Sequence, residues 1–199
     1  MSLDRAWSEC FDLAWEAFRT GNIPVGAVVV GPDGEVVSRG RNRIFDDDTP
    51  PGQLAGGYLA HAEVNALLGL DAERHWDDHT LLSALEPCFL CMGAAWMSMI
   101  GGVSFAARDF FGGAARQLGE NVFTKGRVLR VEGPRDDDES RLVATLQLVF
   151  FLEALPEGRV VTSARTLAPE TLRDAERLRD GGVADGERFA DALRLYRRL

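Results

Sequence analysis

Two short stretches of this 199-residue chain hold residue types from which a catalytic metal centre can be built: His61-Ala62-Glu63 and Pro87-Cys88-Phe89-Leu90-Cys91. Each alone is weak. A histidine near a helix start more often caps or packs, and a Cys-x-x-Cys pair can be redox-active, structural or plain core. Together they constrain geometry. Residues two apart in mid-helix point to nearly opposite sides, so His61 and Glu63 share a site only at a helix end. The small residues and turn signals before Ala60 place them there. Cys88 and Cys91, three apart, share one helix face in a first turn that follows a proline. Two helix N-termini are therefore expected to converge, and their positive ends favour thiolate over thiol.

One imidazole and two thiolates suit zinc, at metal–ligand distances of about 2.0–2.3 Å. A structural zinc takes four protein ligands, whereas three ligands and an open position are the catalytic pattern. The remaining candidates for a fourth ligand have other readings. Cys10 lies on the apolar face of the first helix, and His75 and His79 flank Trp76-Asp77-Asp78 in a surface loop. Zinc on His61, Cys88 and Cys91 would carry no net charge, and it supports a bound hydroxide near neutral pH. Glu63 is then the candidate proton carrier, taking a proton from that water and delivering it to the group under attack or to the one that leaves.

The elements that must position these residues read as follows. Leu3 to Arg19 carries a helical apolar stripe (Trp7, Cys10, Phe11, Ala14, Phe18). Ile23 to Val30 and Glu35 to Arg41 read as a hairpin about the turn Gly31-Pro32-Asp33-Gly34. Asn42 to Leu59 is a long loop with the acid run Asp46, Asp47, Asp48, of a length that is uncommon unless functional. Ala60 to Leu70 and Pro87 to Ile100 are helices, Thr80 to Leu85 and Gly102 to Ala107 strands, and Val128 to Val131 a candidate fifth strand. Ser140 to Leu155 is a helix preceded by Asp136, Asp137 and Asp138, where negative charge suits the helix dipole. Strands alternating with helices indicate a layered α/β sheet. After Pro156, two charge-rich amphipathic helices are expected, Thr166 to Arg179 and Glu187 to Leu199, whose stripes (Leu167, Leu172, Leu178; Phe189, Leu193, Tyr196) need burial. Residues 1–155 thus read as the catalytic domain and 156–199 as a helical extension packed on it or on a neighbouring subunit.

The order His-x-Glu then Pro-Cys-x-x-Cys is the signature of zinc deaminases. The chain resembles the cytidine deaminase-like superfamily, and within it the branch of guanine deaminases and tRNA-specific adenosine deaminases. The stretches that carry the resemblance are Ile23-Pro24-Val25-Gly26-Ala27-Val28, Gly40-Arg41-Asn42, His61-Ala62-Glu63-Val64, Leu85 through Cys91 with Gly93-Ala94, and Ala107-Arg108-Asp109. They run in family order over roughly residues 1 to 150. The resemblance implies a three-layer α/β/α fold with a central mixed five-stranded sheet. It also implies that Asn42 hydrogen-bonds the substrate, that backbone groups near Glu86-Pro87-Cys88 meet the departing amine, and that Asp109 lies near the substrate. Phe110 and Phe111 follow, and Phe111 is a candidate to stack on a flat ring.

The expected activity is hydrolytic deamination of a nucleobase, nucleoside or related small heterocycle, with one Zn²⁺ per chain. Two features bear on the substrate. The net charge is −9 and only Lys125 among 22 basic residues is lysine; a protein gripping many phosphates usually shows a basic face. The 42–61 segment is longer than in tRNA-specific relatives, and its acid run is expected at the pocket mouth, where it would repel an RNA backbone. Both favour a small substrate over tRNA. The alternatives are a tRNA adenosine deaminase whose basic surface comes from a partner, and a non-catalytic zinc-stabilised interaction protein, which would have no need of Glu63. A homodimer is expected, with the apolar helix after Cys91 as core or interface. Three cysteines, an opening Met1-Ser2-Leu3-Asp4-Arg5 without a signal pattern and no long apolar run lead to an expectation of a reducing cytoplasm and no membrane.

Overall fold

The computed structural model describes residues 3–117 and 122–199, so Met1 and Ser2 of the opening segment lie outside it. Along the chain run α1 (Leu3–Arg19), β1 (Gly26–Val30), β2 (Val36–Arg41), α2 (Ala62–Leu68), β3 (Thr80–Leu85), α3 (Phe89–Met97), β4 (Gly102–Ala107), α4 (Val122–Lys125), β5 (Arg130–Glu132), α5 (Asp138–Ala154), α6 (Arg159–Leu167), α7 (Pro169–Asp180) and α8 (Phe189–Tyr196).

The strands form one five-stranded sheet in the order β2-β1-β3-β4-β5. β1 pairs antiparallel with β2 and β3, whereas β3, β4 and β5 are parallel, so the sheet is mixed. The apolar run of β1, Gly-Ala-Val-Val-Val, is buried throughout, as expected of a strand covered on both faces. Two glycines show how closely the helices lie on it. A Cβ on Gly26 would stand 2.2 Å from the Cys10 carbonyl oxygen of α1, and one on Gly40 would stand 2.5 Å from the Ala62 carbonyl oxygen of α2. Gly26 pairs with Arg41 and Ala27 with Gly40, so neighbouring parity puts α1 and α2 on opposite faces. α5 joins α1 against β3 and β4, and α3 packs beside α2, which completes the three layers.

α5 starts at a capping box in which Asp137 accepts from the Ser140 N–H at 2.8 Å. Its middle is buried almost all round (Leu142, Val143, Leu146, Leu148, Val149), because the sheet covers one side and the C-terminal helices the other. α7 lies along α5, and α8 bears on α5 and α1, where Phe189 stacks on Phe11 with ring centroids 5.2 Å apart.

Here the sequence reading needs correction. The expected helix from Thr166 to Arg179 is two helices broken at Ala168, whose φ of −145° is extended, as a residue before proline prefers; Pro169 then opens α7. α6 was not anticipated. Its buried side are only Val161 and Ala164, too few to stand out as a stripe. Leu167, expected to be buried, is 62% exposed at the break, whereas Leu172, Leu178, Phe189 and Leu193 are buried. Among the described residues no helix is long and apolar enough to cross a membrane.

Candidate active site

His61 is the N-cap of α2 and Cys88 the N-cap of α3, both with extended backbone, so each side chain leans past its helix end. Cys91 is the third residue of α3, one turn behind Cys88. The three ligand atoms converge: Cys88 Sγ to His61 Nδ1 3.7 Å, Cys91 Sγ to His61 Nδ1 3.3 Å, and Cys88 Sγ to Cys91 Sγ 3.6 Å. Tetrahedral zinc at its usual bond lengths separates such ligands by about 3.5–3.8 Å, so the donor set fits the ion in kind and in spacing. Among the described residues these three alone cluster in this way. Cys10 is buried behind β1 with its thiol 3.2 Å from the Gly26 carbonyl. His79, expected on a surface loop, is buried instead, paired with Asp78 and edge-on to Trp76. Among the described residues no fourth protein ligand closes the centre.

Within the triad the two sulfurs lie in hydrogen-bond contact. The hydrogen bond from Cys91 holds Cys88 down to about 4 against its burial, with His61 adding to the effect. The same bond, and then burial, push Cys91 well above the usual thiol range. His61 is raised, chiefly by its contact with Cys88, against its burial. A metal held by His61, Cys88 and Cys91 would keep both sulfurs as thiolates, because a coordinating thiol is deprotonated outright.

Glu63 follows in the first turn of α2 and is 4% exposed. Burial pushes its carboxyl above the usual range, partly countered by His61. The hydroxyl of Ser83, in β3, is 2.7 Å from the Leu85 carbonyl oxygen and 3.2 Å from Glu63 Oε1, so the two oxygens compete for its one proton.

A cavity of about 220 Å³ opens onto this centre. Asn42, His61, Glu63, Glu86, Cys88, Asp109 and Phe111, all singled out from the sequence, line it. Asn42 is buried and its Oδ1 accepts from the Ile44 N–H at 3.2 Å, which turns its NH₂ to the other side. Asp109 spends Oδ1 on the N–H groups of Phe111 and Gly112, at 2.9 and 3.0 Å, so it shapes the loop that carries Phe111. Glu86 Oε1 receives the Ala115 N–H at 3.4 Å. Pro87 is buried outside the lining, and its carbonyl accepts from Ala114. Phe110 likewise turns away, toward the groove between β4 and the α6–α7 junction.

The acid run does not form a rim. Asp46 is ion-paired to Arg41 at 2.8 Å and to Arg43 at 2.7 Å and also bonds Asn22, and none of the three aspartates lines the cavity. Asn65 fastens the same loop through both Leu54 backbone groups. The remaining walls come from Ile23, Val25 and Leu85, which lie in the stretches that carry the resemblance but were not singled out as site residues, from Gly112, and, from the far side, from Gln147 and Phe151 of α5 with Val160 of α6, which the sequence did not mark. The one trace of this in the sequence is Gln147, a lone amide within the apolar run Leu146 to Leu152. Arg159, beside Val160, holds its guanidinium 5.8 Å over the Phe111 ring, joining α6 to the loop across the cavity.

Comparison with known proteins agrees with this geometry. The tRNA(Ile)-lysidine synthase of Deinococcus radiodurans is 39% identical over 116 residues, which take in 56% of this chain and 18% of that protein. The tRNA-specific adenosine deaminase of Streptococcus pyogenes serotype M18 is 33% identical over 110 residues, 53% of this chain and 64% of the relative. The chain thus covers less than two thirds of the length of these curated relatives. In fold it is similar to a tRNA:A34 deaminase of A-to-I editing (TM-score 0.56, 24% identity, 70% of this chain and 99% of the other). It is also similar to the guanine deaminase of Nitrosomonas europaea (TM-score 0.52, 19% identity, 69% and 80%). Residues 1–107, which include every ligand of the candidate metal centre, match the model of the cytidine and deoxycytidylate deaminase zinc-binding region, and the chain belongs to that family.

Proposed function

We propose that this protein is a zinc-dependent hydrolytic deaminase of a free nucleobase or a similarly small heterocycle. The observation that carries the reading is the small cavity: Gln147 and Phe151 of α5 and Val160 of α6 line it together with the metal ligands, and at about 220 Å³ it is smaller than the ~300–1,000 Å³ of sites for drug-sized ligands. The metal, when bound, supplies a water acidic enough to attack at neutral pH. The chain does the rest. Asn42 offers its NH₂ to the ring, Phe111 and the apolar walls take the ring faces, and α6 excludes bulk water. Glu63 moves the protons: one from water to the ring nitrogen, and one to the leaving amine, so that the ring unit N=C–NH₂ and H₂O become HN–C=O and NH₃. Burial suits it, since a carboxyl with a raised pKa gives and takes protons nearer neutrality.

The second reading, deamination of adenosine in a tRNA anticodon, is favoured by the likeness to the S. pyogenes enzyme. Ammonia release from zinc-loaded protein separates them. Free bases and nucleosides are offered beside an anticodon stem-loop. Turnover of a base with little on the stem-loop is expected; turnover of the stem-loop alone would remove the reading. We also infer a homodimer through α3 and its C-terminal edge, where Phe89, Met97 and Met99 are 65%, 68% and 54% exposed. A solution mass of 21.8 kDa, that of one chain, in the same preparation would remove that part. The cysteines form no disulfide, the state that a reducing cytoplasm keeps, and we place the protein there.

A further inference from the structure

Gln147 sits in the middle of α5, between Leu146 and Leu148, which are both fully buried. It is itself 5% exposed, it lines the cavity, and its Oε1 has no hydrogen-bond partner among the described residues. Several other polar side chains around the cavity have a partner on at least one atom. His61 and Cys88 face each other, Glu63 is met by Ser83, Asn42 by Ile44, and Asp109 by its own loop. A buried amide oxygen without a partner is disfavoured in the folded chain, and a side chain that lines a cavity with such an atom can be completed by a ligand once the amide turns about its last bond. α5 supplies no metal ligand and no proton carrier, so Gln147 is spare to the chemistry and free to read the ring.

We propose that Gln147 is the residue that selects the substrate. This rests on the small-heterocycle reading above. A carboxamide carries a donor and an acceptor side by side, and it can turn about its last bond to present either order. It pairs with an edge that offers the complement: a cyclic amide (N–H beside C=O) or a cyclic amidine (N–H beside N). The substrate class is therefore a base with such an edge in addition to the amino group that leaves. Rings with the amino group alone are poor substrates, because they bury the amide and leave it unpaired.

The experiment uses the full zinc-loaded chain as wild type, Gln147→Leu and Gln147→Glu. The probes are guanine, adenine and cytosine, with 2-aminopurine and 4-aminopyrimidine as partners that keep the reacting amine and lack the lactam edge or the fused imidazole edge. Gln147→Leu is expected to lose at least ~10-fold in kcat/KM on the best base, mainly through KM, and to show little preference for that base over its edge-deleted partner. Its zinc content should stay at one, and its melting temperature should stay level or rise, because an isosteric apolar side chain relieves an unpaired amide. A merely structural glutamine would give the reverse, a lower melting temperature with substrate preference intact. Should Gln147→Leu fail to fold, Gln147→Glu keeps the shape and removes the NH₂, and the same rise in KM is expected of it. Wild-type kcat/KM and preference in either folded variant overturn the role of Gln147 while leaving the small-heterocycle reading in place. Stem-loop turnover with no activity on any of the bases overturns both.

Discussion

The two sides of the cavity were built under different rules. On one side, the first turns of α2 and α3 bring His61, Glu63, Cys88 and Cys91 together within 30 residues of sequence, with ligand atoms 3.3–3.7 Å apart. On the other, Gln147, Phe151 and Val160 arrive from helices that hold no ligand and carry no motif. The first side performs a reaction shared by many rings; the second decides which ring can reach it. Reaction chemistry demands particular residue types at particular spacings, whereas a wall demands only shape and a hydrogen bond, which many sequences can supply.

The comparison breaks most sharply at Glu63. Glu63→Gln keeps the shape and removes the proton carrier, so kcat should fall by about 10⁴, the upper end for general acid–base catalysis, with zinc content unchanged. Cys88→Ala is its control, losing metal and activity together, along with folded yield. If Glu63→Gln retained turnover within tenfold of wild type, the carboxylate would be a helix-start residue and the division drawn above would collapse. Changes on the opposite wall should act on affinity. Val160→Trp fills part of the cavity, and kcat/KM should fall ~10-fold or more while zinc content holds. Larger ligands should suffer more than smaller ones; an unchanged size preference would show that α6 does not bound the substrate.

The smallest effect on activity is expected from the loop that carries neither side. Burial pushes Asp46 upward, but the hydrogen bonds from Arg41, Asn22 and Arg43 outweigh it and hold the carboxyl below its usual range. A depressed folded-state value stabilises above the unfolded pKa near ~3.9, and that stabilisation is lost as pH falls through the folded value. Asp46→Asn should thus cost about 2 kcal/mol at pH 7, because Arg41, itself 6% exposed, loses a partner. The difference should shrink as pH drops below 4. Denaturant melts at both pH values check this, and a constant difference would mean that the aspartate acts by packing alone.

Much of this is legible in the sequence. The stripe of α1, the β1–β2 hairpin, the strands β3 and β4 and the three candidate zinc ligands are local matters. Periodicity, turn residues and helix-end spacing act over a few positions, so they leave a record in the sequence. The break at Ala168 was less legible, since Pro169 continued an apolar pattern that ran through it. Asp46 misled because a run of three aspartates reads as an acidic surface, and only tertiary contacts showed Arg41 and Arg43 facing it.

By itself, then, the sequence determined the class of reaction: His61, Cys88, Cys91 and Glu63 have side-chain chemistry with few other uses at that spacing. Tertiary structure alone decided what the site admits. Gln147 lies more than 50 residues beyond the last ligand, and it meets the cavity only because α5 packs on the face of β3 and β4 that ends there. Val160 meets it because α6 folds back over α5. Long-range packing of apolar faces places such residues, and since that force is non-directional and set by summed area, no short pattern of residue types records where it will bring them.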